Sequence, residues 1–135
     1  MTLNLGPCSR RASTIERLET SNISDEDLER VYNFAEFAGR FGGSRLVLDH
    51  LEEFSSRWGP GNPLTILDIR CGRGDLSRAI VNWARRRKFE VQILAADRYG
   101  RILQMARKKS AGYPEITYEI RDITDPMFLQ AQQSD

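Results

Sequence analysis

The chain has 135 residues, with 20 lysines and arginines against 19 acids and a formal net charge of +1. This length suits one domain with a hydrophobic core and is short for two. Apolar residues make up 40% and charged residues 29%, which is typical of a globular chain and argues against disorder. The balanced charge also argues against a general attraction to nucleic acid or to an acidic membrane surface.

Several classes of protein are excluded by what the sequence lacks. No apolar run has the length of a membrane span, and the first 14 residues lack the apolar stretch of a secretory signal. The two cysteines, Cys8 and Cys71, are too few for a disulfide framework, so we expect a reducing, cytoplasmic location. One histidine and two distant cysteines predict no metal site.

The N-terminal part of the sequence predicts an arm and two helices. Residues 1–22 show little periodicity and are expected to form a flexible arm. Ser24 is followed by three acids and then by apolar residues at helical spacing, which indicates a capped helix in a helical segment, 23–58. The second helix is predicted from Ser44 to about Trp58. Its expected buried stripe consists of Leu46, Val47, His50, Leu51 and Phe54.

After a break rich in glycine and proline, strands and helices alternate. The predicted elements are a strand Leu64–Ile69, a helix Asp75–Arg87, a strand Val91–Ala96, a helix Gly100–Ala111 and a strand Ile116–Ile120. This order predicts an α/β fold with a three-stranded parallel sheet in the order 3-2-1. The first two strands are nearly continuous apolar runs, so both faces should be covered, whereas the third alternates like an edge strand. The predicted domain covers 59–125, and 126–135 is a polar tail.

The loop after the first strand carries the main functional signal. It reads Asp68-x-Arg70-x-Gly72-x-Gly74 and leads into a helix. Glycines let the backbone approach a ligand, and a helix N-terminus offers free N–H groups. Asp97 ends the second strand, where its two oxygens can accept both hydroxyls of a ribose. Alternatively, the glycines form an ordinary turn and Asp97 is a solvated acid.

This pattern resembles motif I of class I S-adenosylmethionine-dependent methyltransferases, Asp/Glu-x-Gly-x-Gly-x-Gly. The resemblance implies a Rossmann-like fold, S-adenosylmethionine as cofactor and an unidentified methyl acceptor. It also implies that Asp68 orients the loop and reaches toward the cofactor amine, that Asp122 meets the adenine amino group and that Ile123 covers the ring. Alternatively, Asp68 is a strand-end acid bonded to backbone N–H groups, and Asp122 is a helix N-cap or a loop acid.

The resemblance covers only part of the family fold. That fold has seven strands and this sequence supplies three, which predicts a truncated, N-terminal half with two preceding helices. No catalytic residue can be nominated. The sequence therefore predicts a methyltransferase that is weakened or inactive as written. The alternatives are a non-catalytic Rossmann-like binding or partner subunit, and an inactive gene fragment.

Arg70 stands where the family has its first glycine. An arginine side chain there would crowd the methionyl part of the cofactor, so we expect a lost or weakened site. Two alternatives remain open: Arg70 turns toward solvent or pairs with Asp68 or Asp75, and the cofactor still binds weakly, or it recruits another anion such as a phosphate.

The remaining expectations concern partners and minor candidates. An unpaired edge of the first strand predicts a homodimer or a partner subunit. Cys71 is expected to be a small buried filler, and His50 a packed or half-exposed side chain. The basic runs that begin at Arg85 and Arg107 close helices, so solvated helix ends are favoured over nucleic-acid binding.

Overall fold

The computed structural model describes residues 23–40, 42–58 and 61–122. The predicted arm, 1–22, and the predicted tail, 126–135, lie outside these residues. The chain divides into two compact units, Met1–Phe37 and Ala38–Asp135. The domain boundaries inferred from the sequence stay predictions. No described helix is long and apolar enough to cross a membrane.

The described residues form four helices and three strands. In chain order these are α1 (Asp25–Arg40), α2 (Gly43–Ser55), β1 (Leu64–Ile69), α3 (Asp75–Arg87), β2 (Val91–Asp97), α4 (Gly100–Lys109) and β3 (Ile116–Ile120). Every helix and strand predicted within these residues is confirmed. The ends differ slightly, because α2 stops before Trp58, α4 stops before Ala111, and Asp97 belongs to β2.

The cap of α1 is confirmed at atomic detail. The Ser24 Oγ atom accepts a hydrogen bond from the Asp27 backbone N–H at 3.1 Å and donates one to the Asp27 carboxylate at 2.8 Å. This satisfies one of the N–H groups that a helix leaves without an internal partner. Leu28 is buried on this helix, whereas Val31 and Phe34 are exposed.

The three strands form one parallel sheet with β2 in the middle. β2 pairs with β1 and with β3, and Ile69 lies beside Ala96 while Asp97 lies beside Ile120. The carboxyl ends of the strands therefore meet at one edge of the sheet. Helices α3 and α4 are the crossovers, and their apolar faces pack on the sheet to form the core.

β1 is buried on one face only, so the prediction that both its faces are covered is wrong for the described residues. Leu64 is buried, but Thr65, Leu67 and Ile69 are exposed. The core lies on the face that packs against the helices, and the opposite face of β1 is open there. β3 does alternate as predicted, since Tyr118 is buried and its neighbour Thr117 is exposed.

The predicted buried stripe of α2 is also wrong. Four of its five members, Leu46, Val47, His50 and Phe54, are exposed. The helix instead turns its Leu48, Leu51 and Glu52 side toward the core, and the Glu52 carboxylate accepts a hydrogen bond from the Trp83 indole N–H at 2.9 Å. A glutamate at a helix interface is unexpected from sequence because acids usually face water, and here its bond to Trp83 joins α2 to α3.

Candidate functional site

The loop from Arg70 to Gly74 joins β1 to α3 at the carboxyl edge of the sheet. Its backbone is left-handed at every second residue, with φ of +59° at Arg70, +55° at Gly72 and +74° at Gly74. The Cys71 N–H donates to the Ala96 carbonyl at 3.0 Å, and the Gly74 N–H donates to the Cys71 carbonyl at 2.9 Å. The loop therefore forms a compact turn that stays bonded to β2.

The Asp97 carboxylate ties the glycine loop to the end of β2. One oxygen accepts the Gly72 N–H and the other accepts the Tyr99 N–H, both at 3.1 Å. The side chain is buried, with 7% of the residue exposed. Carboxylate oxygens have two acceptor sites each, so these bonds leave room for further donors. The structure thus brings Asp97 to the loop as predicted, and contact with a ribose stays a prediction.

Asp68 lies at the end of β1 below the same loop. The Ser77 hydroxyl, on the first turns of α3, donates to its carboxylate at 2.5 Å. Burial raises the pKa of Asp68, the Ser77 hydrogen bond opposes that rise, and the negative charge of Asp97 adds to it. Ser77 itself is fully buried. Two carboxylates, Asp68 and Asp97, therefore flank the glycine turn.

Tyr118, which the sequence did not single out, packs directly against Gly74. A Cβ atom built on Gly74 would lie 2.0 Å from the Tyr118 hydroxyl oxygen and 2.9 Å from the ring carbon that carries it. The hydroxyl is also within hydrogen-bond distance of the Ser110 hydroxyl, at 2.7 Å, and burial raises the pKa of Tyr118. Gly74 is therefore required both by its left-handed backbone and by this close packing.

Arg78 connects this tyrosine region to the loop. Its guanidinium donates to the Arg73 carbonyl at 2.7 Å and to the Ser110 hydroxyl at 3.1 Å, and it forms a short ion pair with Asp75. The Arg73 side chain is fully buried and lies 4.0 Å from the Asp75 carboxylate. Nothing in the sequence pattern marks Arg73 as buried, since arginines are mostly exposed.

The other predicted site residues have different positions. Arg70 is exposed, while Asp68 bonds to Ser77 and Asp75 pairs with Arg78, so the solvent-facing alternative agrees with the structure. Asp122 follows β3 and is exposed. Ile123 lies outside the described residues, and its predicted contact with the adenine ring stays a prediction.

The minor candidates resolve into structural roles. Cys71 is buried and its pKa is raised to about 12, chiefly by burial, so it is not an activated nucleophile. His50 is exposed, with its Nδ1 atom 2.8 Å from the Leu46 carbonyl. Arginines at the two basic helix ends form specific contacts. Arg85 makes a bidentate ion pair with Glu115, and Arg107 donates a hydrogen bond to the Tyr118 carbonyl.

Similar solved structures share this arrangement of helices and strands. The citrinin polyketide synthase CMeT domain matches 62% of this chain and 22% of its own, with 24% identity and a TM-score of 0.56. The match to the DszA carbon methyltransferase covers 64% of this chain and 24% of that protein, with 17% identity and a TM-score of 0.53. The match to a putative S-adenosyl-L-methionine-dependent methyltransferase from Methanococcus maripaludis covers 78% of this chain and 47% of that protein, with 20% identity and a TM-score of 0.53.

These likenesses show that the chain has an α/β fold of the kind found in these three methyltransferase structures. The chain spans between about a fifth and a half of the length of these three proteins. No protein-family profile and no curated protein matches the sequence.

Proposed function

We propose that the chain is a class I methyltransferase domain that binds S-adenosylmethionine at the loop between β1 and α3. The observation that carries this proposal is the glycine turn held by the Asp97 carboxylate, in a sheet that is similar to those of three methyltransferase structures. The sheet would be the 3-2-1 half of the complete fold. A cytoplasmic location fits the low number of cysteines.

The residues present fit a nucleoside cofactor at three points. Gly72 has no side chain in the turn that the Asp97 carboxylate holds, so a ligand can approach the backbone there, whereas the space beside Gly74 is filled by Tyr118. Asp97 is proposed to accept the ribose hydroxyls and Asp122, with Ile123, to contact the adenine. S-adenosylmethionine supplies the methyl group, and the protein's task is to align it with the acceptor.

Arg70 sets the expected strength of binding. Its backbone already has the left-handed conformation that a glycine readily adopts. Its side chain, however, starts where the family has only a hydrogen atom. We therefore propose a weakened site, and we expect Arg70→Gly to bind S-adenosylhomocysteine more tightly than the natural chain.

Calorimetric titration with S-adenosylmethionine and S-adenosylhomocysteine tests the proposed function. We expect dissociation constants within about 1 μM to 1 mM, the range typical of enzyme substrates. Asp97→Ala should weaken binding by at least tenfold, about 1.4 kcal/mol, because ribose hydroxyls lose an acceptor. Glu90→Gln is the matched control, because it removes an exposed acid at the opposite end of β2.

Two outcomes would contradict these roles. Unchanged affinity in Asp97→Ala, with circular dichroism showing an intact fold, would remove this residue from the ribose site. No heat with either ligand, in both the natural chain and Arg70→Gly, would reject the methyltransferase proposal and favour a non-catalytic partner subunit.

We also propose that β1 pairs with a strand of a second copy or of a partner subunit. In a parallel strand alternate residues direct their N–H and C=O groups to opposite sides. The Leu64 N–H points to β2, because it donates to the Glu90 carbonyl, so those of Thr65, Leu67 and Ile69 point to the other edge. Light scattering over a concentration series tests this, and a monomer at all concentrations would reject it.

A further inference from the structure

Three different side chains hold the segment Gly72–Gly74, one at each of its residues. Its first N–H donates to the Asp97 carboxylate at 3.1 Å, and its middle carbonyl accepts a hydrogen bond from the Arg78 guanidinium at 2.7 Å. The Tyr118 hydroxyl packs against its last residue. These side chains come from β2, α3 and β3, so three elements of the fold together fix the glycine loop.

Arg78 makes the central contacts of this arrangement. Its backbone N–H donates to the Gly74 carbonyl at 3.0 Å, and its guanidinium holds the preceding carbonyl, that of Arg73. The same guanidinium pairs with Asp75 and donates to the Ser110 hydroxyl at 3.1 Å. Only 13% of the Arg78 side chain is exposed. Hydrogen bonds to a charged group away from water are stronger than those between neutral groups at the surface, so this side chain is held firmly.

Ser110 and Tyr118 fix the guanidinium from its buried side. Their hydroxyl oxygens lie within hydrogen-bond distance, at 2.7 Å, and both residues are buried. Ser110 directly follows α4, and Tyr118 lies on β3. The guanidinium of Arg78 is therefore linked to two elements besides its own helix, which keeps it in place below the loop carbonyl.

The start of α3 explains why the loop needs this support. A helix commonly begins at a residue whose side chain binds the first N–H groups of the helix. α3 is preceded by Gly74, which has φ +74° and no side-chain cap hydrogen bond. Tyr118 fills the space that a side chain at this position would need. A local cap is thus excluded, and Arg78, at the end of the first turn, holds the loop through its carbonyl groups instead.

We propose that Arg78 is a positioning residue of the cofactor site, which holds the glycine loop in the conformation that the cofactor binds. This role rests on the proposed function, since it assumes that the cofactor binds at this loop. Support through carbonyl groups leaves the N–H groups at the start of α3 to the ligand. A loop that is already ordered loses less conformational freedom on binding, so the contacts of Arg78 should raise affinity without touching the ligand.

Arg78→Lys tests this role because it keeps the charge and changes the geometry. The guanidinium uses one nitrogen for Asp75 and the other for the loop carbonyl and the Ser110 hydroxyl. The compact ammonium group of lysine lacks this planar fork. In calorimetry we expect S-adenosylhomocysteine to bind about tenfold more weakly. In hydrogen exchange followed by NMR, the amide protons of Gly72 and Gly74 should exchange about tenfold faster.

Arg85→Lys is the matched control on the same helix. Arg85 also pairs with a carboxylate, that of Glu115, and donates to a backbone carbonyl, that of Gly112, at 2.9 Å. It lies about two turns further along α3, away from the loop. Both lysine variants should lower the midpoint of urea unfolding, but the control should keep the natural affinity and the natural exchange of both glycine amides. Equal effects of Arg78→Lys and Arg85→Lys on binding and exchange would overturn the proposal.

Ser110→Ala provides a milder variant if Arg78→Lys does not fold. It removes only the hydroxyl that contacts Arg78 and Tyr118. The affinity for S-adenosylhomocysteine should then fall, and the exchange of the loop amides should rise, each by about threefold, because the guanidinium loses one neutral partner. No change in either measurement would likewise overturn the proposal.

Hydrogen exchange separates this inference from the proposed function, because it needs no ligand. If Arg78→Lys speeds the exchange of the loop amides but neither the natural chain nor Arg70→Gly binds S-adenosylhomocysteine, the proposed function is rejected, and the positioning role with it. If S-adenosylhomocysteine binds equally well to the natural chain and to Arg78→Lys, the positioning role alone is rejected.

Discussion

Gly74→Ala should be among the most damaging single changes to this fold, and the structure gives its cost in parts. The backbone at φ +74° costs a residue with a Cβ atom about 1–2 kcal/mol. The new Cβ atom would also lie 2.0 Å from the Tyr118 hydroxyl oxygen, so the tyrosine must move. Overpacking adds about 1–3 kcal/mol, and losing the Ser110–Tyr118 hydrogen bond about 1 kcal/mol. The expected loss of stability is about 3–6 kcal/mol.

Two further variants separate the backbone cost of Gly74→Ala from the cost of its contact with Tyr118. Their free energies of unfolding are measured by urea unfolding followed by circular dichroism. Gly61→Ala is the control for the backbone, because Gly61 has φ +94° and nothing within 4 Å of an added Cβ atom. It should cost only the backbone part, about 1–2 kcal/mol. In a Tyr118→Phe background, Gly74→Ala should cost about 1 kcal/mol less. Equal losses for Gly74→Ala and Gly61→Ala would refute the argument that Tyr118 closes the loop.

Four further predictions concern this loop and the residues bonded to it. Ser77→Ala should lower the free energy of unfolding by about 1.5–3 kcal/mol near neutral pH. The loss should be smaller at acidic pH, because protonated Asp68 depends less on the hydrogen bond from Ser77. Urea unfolding at both pH values measures the difference. Because burial raises the pKa of Asp68, the natural chain should itself lose stability as the pH rises through that pKa. Because the pKa of Cys71 is raised to about 12, iodoacetamide should alkylate this thiol about a thousandfold more slowly in the folded chain than in urea at mildly alkaline pH. Equal rates would mean that the loop is open in the folded chain. Arg70→Gly and Lys88→Gly should each raise the melting temperature or leave it unchanged, because both residues have φ +59°, but only Arg70→Gly should alter cofactor binding.

The sequence predicted the elements of the sheet well because each signal was local. β1 and β3 have the predicted ends, since glycine, proline and polar residues bound short apolar runs. The meeting of Asp68, Gly72 and Asp97 was also predictable, because parallel strands end at one edge. These features depend only on residue order and on the handedness of crossovers.

The faces of β1 and α2 were not predictable because they depend on distant partners. Leu67 and Ile69 look like core residues in the sequence, and only the positions of the helices reveal that their face is open among the described residues. On α2, the bond from Trp83 to Glu52 turns a charged face inward. Tyr118 was missed for the same reason, because its contact with Gly74 joins residues that are 44 positions apart in the sequence.

The backbone of Arg70 carries strain that a glycine at this position would avoid. A left-handed conformation costs an arginine about 1–2 kcal/mol that a glycine would not lose. Lys88 has the same φ, but it follows the last residue of α3, where helices commonly end in this conformation. Arg70 follows a strand, and the bonds from Cys71 to Ala96 and from Gly72 to Asp97 hold its loop in place. Strain of this kind concentrates at functional sites.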